Sequence, residues 1–246
     1  MHIPRPGAAL VLAALVALPA VPLAAQDVPP DPWTFQGDLG YVIAGGNTDL
    51  QTLNLGEKVG FDPAGRWRFG QSAAWVYSQS DDETTANLIG GDLRGDYDFT
   101  ERLGAYGSVG YYRNTFAGIS RRITEGVGLG YKAWLAPRDT LVLEGGVNLF
   151  QERLTSDVTD DYTSARAAGT YKHLLSDKAS FGLGAQFLPD LSDFADYLLD
   201  AHAELSAPLS ANVAIKLGYL LRYQSEPAAG FEETDTIFTS GIQFTF

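Results

Sequence analysis

The chain has 246 residues, no cysteine and a formal charge of −13, with an isoelectric point near 4.5. The missing thiols exclude a disulfide framework, a cysteine nucleophile and a cysteine metal site. The acidity excludes nucleic acid as a partner, because phosphate backbones need a basic surface.

Residues 1–25 read as a secretory signal peptide. Arg5 sits in a short n-region, an almost wholly apolar run covers Ala8 to Leu18, and Ala24-Ala25 precede the polar Gln26-Asp27. The run is too short to span a bilayer as a helix, and cleavage is expected after Ala25. A short periplasmic segment, 26–32, follows, and one domain is expected over 33–246. Mean hydropathy is −0.07. That does not exclude a membrane protein, because a transmembrane barrel hides its hydrophobicity by alternation.

From Trp33 the chain alternates. Trp33, Phe35, Leu39, Tyr41 and Ile43 share one parity, while Thr34, Gln36, Asp38 and Gly40 share the other. That period of two predicts a strand with one apolar face. The pattern recurs in RWRFGQSAAWVYS, NLIGGDLRGDYDF, TLVLEGGVNLF, VAIKLGYLLRYQS and TIFTSGIQFTF. About twelve strands are expected, starting near residues 33, 49, 66, 86, 103, 121, 140, 162, 179, 197, 213 and 234. Short connections (DPAG, TER, LAPRD, LSDK, LSAN) alternate with mostly longer acidic ones such as SQSDDETT, ERLTSDVTDD and EPAAGFEETD. This predicts an all-β, closed antiparallel transmembrane β-barrel of about 12 strands, with periplasmic turns and acidic extracellular loops. Aromatics on the apolar parity gather at both strand ends. Trp33, Phe35, Phe61, Trp67, Phe69, Phe99, Tyr131, Tyr171, Phe181 and Phe246 form one belt, and Tyr41, Trp75, Tyr77, Tyr111, Phe187, Tyr197 and Tyr223 the other. Membrane interfaces select such belts.

Three stretches carry a family resemblance: GDLGYVIAGGNTDLQTLNL with Gly46-Asn47-Thr48, the Tyr111–Ile119 segment YYRNTFAGI, and Asp235-Thr236 through Phe246. On these the chain resembles the salt-induced outer-membrane protein family. The resemblance implies an outer-membrane barrel and no established activity.

The opposite parity predicts a polar lumen. Its bases are Lys58, Arg66, Arg68, Arg94, Arg122, Lys132, Arg166, Lys172, Lys216 and Arg222. Its acids are Asp38, Asp92, Asp96, Asp98, Glu144, Glu152, Asp200 and Glu204. The balance is near neutral and slightly basic, so the negative charge is assigned to outer-loop residues such as Asp81, Asp82, Asp157, Asp160, Asp190, Asp196, Glu232 and Asp235. These loops are expected to hold divalent cations weakly at most. Gly126, Gly128 and Gly130 in GVGLG are expected to pack under inward aromatics, not around a phosphate, since no helix follows them.

The functional expectation is a non-enzymatic small passive channel or envelope-structural barrel without cofactor. The alternatives are a surface lipid or peptide hydrolase and a receptor or adhesin acting through the outer loops. His202, between Asp200 and Glu204 on the inward face, is the only plausible catalytic centre. Ser206 lies on the same strand, over about 10 Å away. Lipopolysaccharide and other outer-membrane lipids are expected partners, with Arg113, Arg121 and Arg153 near the outer rim facing anionic head groups. Ile242, Phe244 and Phe246 in the last strand are expected to close the barrel and to engage the assembly machinery. Glu57 and Glu125 break the scheme, being acids on the lipid parity. Glu125 is expected near the outer interface, and Glu57 needs a bulge or a local partner.

Overall fold

The computed structural model describes residues 32–44, 50–80, 83–177 and 179–245. The expected signal peptide, segment 26–31, the Gly46-Asn47-Thr48 turn, Asp81, Asp82 and Phe246 lie outside the described residues. Twelve strands follow in order: β1 Trp33–Ala44, β2 Leu50–Phe61, β3 Trp67–Ser80, β4 Glu83–Asp98, β5 Leu103–Asn114, β6 Ile119–Leu135, β7 Asp139–Leu154, β8 Thr159–Leu174, β9 Ser180–Pro189, β10 Tyr197–Pro208, β11 Val213–Gln224 and β12 Thr234–Thr245. Each pairs antiparallel with its sequence neighbour, and β1 pairs with β12 to close the barrel. Closure removes the sheet edges, whose unpaired backbone groups lipid could not satisfy.

The closing seam is short. Its register runs from Gln36 opposite Thr245 to Leu39 opposite Ile242, whereas β1 and β2 pair from Trp33–Phe61 to Ala44–Leu50. The last periplasmic turn pins the end of β12. The Thr245 N–H donates to the Asn212 carbonyl at 3.0 Å, and the Asn212 amide donates to the Thr245 carbonyl at 2.8 Å.

Alternation sets the outside. Leu93, Val109, Val127, Leu129, Leu143 and Leu149 are exposed on the outward face, as lipid-facing residues should be. The periplasmic girdle is continuous across four strands, with ring contacts Trp33–Phe61, Phe61–Phe69, Phe69–Trp67 and Trp67–Tyr97. The outer girdle includes Phe187, Tyr197 and Tyr223, in contact in that order. A register shift between Lys132 and Trp134 breaks parity in β6 and sends Trp134 outward, against Tyr171 at 6.5 Å.

Several strands outrun the sequence expectation. Because β7 extends to Leu154 and β8 starts at Thr159, the connection between them shrinks to 155–158. Asp160 therefore sits in β8, opposite Glu152, and Asp235 sits in β12, opposite Arg222. Neither is a loop residue as expected. Arg66 is corrected in the other direction: β3 begins at Trp67, so Arg66 is an exposed turn residue, not a lumen base. For Asp160 and Asp235 strand pairing wins, because backbone groups gain more from a ladder than from solvent at the rim. With Arg66 removed and Asp160 and Asp235 added, the inward set holds nine bases and ten acids, so the lumen is slightly acidic, not slightly basic.

Glu57 keeps its outward position, since the ladders of β2 carry no register shift. Its partner is Gln71, whose amide donates to Glu57 Oε1 at 2.8 Å. Glu125 is exposed on the outward face between Val109 and Leu149, one pleat repeat inside Tyr111 and Gln151.

Candidate functional site

The inward residues of β4–β11 interlock across the lumen. Arg94 donates to Asp96 at 2.8 Å and to Glu144 at 2.5 Å. Arg166 donates to the other Glu144 oxygen at 2.7 Å, to Tyr106 Oη at 2.8 Å and to Gln186 at 3.0 Å. The Gln186 amide donates to Asp200 at 2.8 Å, and Arg222 Nε donates to the same carboxylate at 2.7 Å. The guanidinium groups also lie over aromatic faces: Arg94 is 4.2 Å from the Tyr106 ring centre and Arg222 is 4.4 Å from that of Tyr112. Such stacking adds to the ion pairs in a desolvated setting.

Two further clusters lie toward the periplasm. Arg68 and Lys132 share Asp98. Lys216 bridges Asp38 at 2.7 Å and Glu204 at 3.1 Å, with Lys58 at 3.9 Å from Glu204. Nearer the outside, Arg122 pairs with Glu152, and both side chains are only 4% exposed.

The expected inward residues thus fall into linked groups rather than one site. Lys172 and Asp92 face inward in register but make no side-chain hydrogen bond or ion pair among the described residues. His202 likewise makes none; its ring lies over Gly184 on β9, where a Cβ would overlap it. Its flanking acids are committed elsewhere, Asp200 to Arg222 and Gln186, Glu204 to Lys216. Ser206 donates to Gln243 at 3.2 Å. These residues do not assemble a nucleophile–base pair. Of the GVGLG glycines only Gly128 seats an aromatic, since a Cβ there would fall 2.6 Å from Tyr106 Oη, as one on Gly146 of β7 would at 2.7 Å; Gly126 instead faces Asn148 and Ser108, and Gly130 faces Glu144.

An apolar layer inside the barrel escaped the sequence reading. Phe150, Leu188 and Leu198 form a buried cluster with Tyr162, and the Phe150 and Tyr162 rings stack at 4.7 Å. All four are near the outer ends of their strands and on the inward parity. The signal was present as isolated apolar residues on the polar face, close to the outer turns of neighbouring strands.

Above this layer the outer connections touch. Gly118, at φ 76°, closes the 3-10 turn Thr115–Ala117. A Cβ there would fall 2.7 Å from Ala228 and 2.8 Å from the Phe231 ring, so the β5–β6 and β11–β12 connections pack on each other. Asp190 is buried and accepts from the Ser192 N–H at 2.6 Å. Asp196 has its pKa raised by burial first, then by Glu226, Asp190 and Asp160. Among the described residues no group of three or more His, Cys, Asp or Glu side chains converges to hold a metal ion.

Between the bulky β5–β10 wall and the opposite side lies a cavity of about 660 Å³. Its opposite side is small-residued, with Gly40, Gly56, Ser72, Ala74, Gly90 and Gly218, and the cavity reaches from Lys58 and Lys216 to Leu88 and Leu198. Asn54 Oδ1, buried without a protein hydrogen-bond partner, lies on a residue of its lining.

A closed barrel with an apolar outer band, two aromatic girdles and a charged lumen is an outer-membrane β-barrel protein. The chain belongs to the family described as "Protein of unknown function, DUF481", whose profile matches residues 37–246; this agrees with the resemblance read from the sequence. A relative is the uncharacterised protein YdiY of Escherichia coli (strain K12), 22% identical over 220 residues, covering 86% of this chain and 83% of the relative. The fold resembles the NanC porin, with TM-score 0.53 at 11% identity, covering 85% of this chain and 98% of that one. It also resembles the translocator domain of the autotransporter NalP from Neisseria meningitidis, with TM-score 0.51 at 14% identity, covering 87% of each chain. At these identities the structural likeness speaks to the fold alone.

Proposed function

We propose that the barrel is a narrow passive channel for small polar solutes and catalyses no reaction. The observation that carries this reading is the cavity of about 660 Å³ running along the small-residue wall, a volume in the range that admits a small molecule. Opposed large and small inward residues leave room that a fully filled barrel would not. The unpartnered Asn54 oxygen favours a polar occupant. Because the inward charges are mostly paired, ion selectivity is weak. The apolar layer of Phe150, Leu188 and Leu198 narrows the outer end.

The test is conductance of the refolded protein in a planar bilayer, after a boiled-versus-unboiled gel shift confirms the barrel. Small ohmic steps with an anion-to-cation ratio near one are expected, and a Phe150→Ala, Leu198→Ala double variant should enlarge them. If both proteins are silent, the channel reading fails. The second reading, an envelope-structural barrel, then takes its place, favoured by the linked ion pairs and hydrogen bonds that run from Arg94 of β4 through Glu144, Arg166, Gln186 and Asp200 to Arg222 of β11.

A further inference from the structure

Seventeen lysines and arginines are spread over the chain, and three of them differ from the rest. Arg113, Arg121 and Arg153 are the bases that both face outward and lie near the extracellular ends of strands. The others line the lumen, occupy periplasmic turns or lie outside the described residues. The three stand on consecutive strands, β5, β6 and β7. Arg121 is directly opposite Arg153 in the ladder, and Arg113 is opposite the outward-facing Ile89 on β4. Neighbouring strands are about 4.8 Å apart, so the row spans roughly 10 Å. One pleat repeat below lie Tyr111, Ile123 and Gln151, at the upper edge of the apolar band. The arginines are therefore at head-group level.

Two like charges directly opposite on an antiparallel pair destabilise it. Within the chain the row is only partly neutralised. Arg153 donates to Asp157 at 2.9 Å, an exposed contact, and Asp161 stands on β8 opposite Gln151. Among the described residues Arg113 and Arg121 make no ion pair. Planar guanidinium groups in a row suit phosphate oxygens, which accept two parallel N–H bonds from each. We propose that this row is a binding site for the phosphate groups of a phosphorylated outer-leaflet lipid, taking a diphosphorylated head group across β5–β7. The site is independent of whether the lumen conducts.

The test uses the refolded full barrel in phosphatidylcholine nanodiscs, with and without diphosphoryl lipid A. Retained lipid is read by native mass spectrometry, and stability by the temperature of the unboiled-to-boiled gel transition. The wild type should retain diphosphoryl lipid A in preference to phosphatidylcholine. Each of Arg113→Gln, Arg121→Gln and Arg153→Gln should weaken retention about fivefold, while Arg138→Gln in a periplasmic turn should not. Arg121→Gln carries a sign-reversing signature. In phosphatidylcholine alone it should raise the transition temperature, by removing the repulsion. With diphosphoryl lipid A it should lower it relative to wild type. Equal retention of both lipids by the wild type, or an unchanged retention in the Arg121→Gln, Arg153→Gln double variant, would overturn the site. Equal stabilisation by millimolar inorganic phosphate would overturn its assignment to a lipid.

Discussion

Asp38 is predicted to hold the barrel closed. Among the described residues the β1–β12 ladder is the shortest, reaching only from Gln36 to Leu39 on β1. Across it, Asp38 accepts from Lys216 Nζ at 2.7 Å and from Gln243 Nε2 at 3.1 Å, tying β1 to both β11 and β12. A hydrogen bond to a charged group contributes about 1.5–3 kcal/mol. Asp38 and Lys216 are partly solvated, and Lys216 keeps Glu204, so the expected loss in Asp38→Ala is about 2 kcal/mol. Glu204→Ala removes another partner of the same lysine without touching the seam, and should cost roughly half as much. Urea unfolding in detergent micelles, followed by emission of the four tryptophans, measures both. If Asp38→Ala falls within about 0.5 kcal/mol of wild type, the scatter expected of a neutral surface change, the clasp does not exist. If Glu204→Ala costs as much as Asp38→Ala, the lysine matters and the seam does not.

Glu152→Ala leaves Arg122 buried and unpaired, and should destabilise the barrel by about 3–5 kcal/mol; Arg122→Met with Glu152→Leu should recover most of that loss in the same titration. Glu57→Leu with Gln71→Leu removes an outward-facing acid and should stabilise the protein in vesicles by about 1–2 kcal/mol, an effect absent from a luminal Glu204→Leu change. Gly118→Ala forces an alanine into a left-handed conformation against Phe231, at a cost of about 1–3 kcal/mol, and should expose the outer connections to limited proteolysis without changing the gel shift. The raised pKa of Asp196 means the folded loop holds a proton more tightly than the unfolded one. Its stabilising contribution is present below the ordinary aspartate value of about 3.9 and is lost as pH rises through the raised folded value. Proteolysis of that loop by an acid-active protease should accelerate across this window, and Asp196→Asn should flatten the dependence.

The barrel was legible because one physical constraint acts on every strand. Outward residues meet lipid and inward ones meet polar partners, so a period of two survives even where single residues disagree. Trp134 was not legible: a bulge at Ala133 shifts parity, and nothing local in YKAWL marks it. The apolar layer was missed because Phe150, Leu188 and Leu198 each look like one stray residue on a polar face, and only the closed ladder brings them together. The identities of the ion pairs were out of reach for the same reason. Asp38 and Lys216 are 178 positions apart in the chain, and which base meets which acid depends on register around the whole barrel. The arginine row was visible by parity, but the opposition of Arg121 and Arg153 needed the ladder.

Ion pairs are a weak way to stabilise an interior, since apolar residues of similar volume often do as well. Their use here has a different physical consequence. In a barrel the outside is apolar, so an apolar lumen would make the two strand faces nearly equivalent, and a one-residue slip in pairing would cost little. A one-residue slip exchanges the faces. With Arg94, Arg166 and Arg222 inside, a slipped strand places a guanidinium in the bilayer at about 2–4 kcal/mol each. The same slip also strands Glu144 and Asp200 without partners. The charged lumen therefore specifies register by penalising the alternatives. The strands that carry the most inward charge should accordingly be the ones whose pairing is least tolerant of inserted residues.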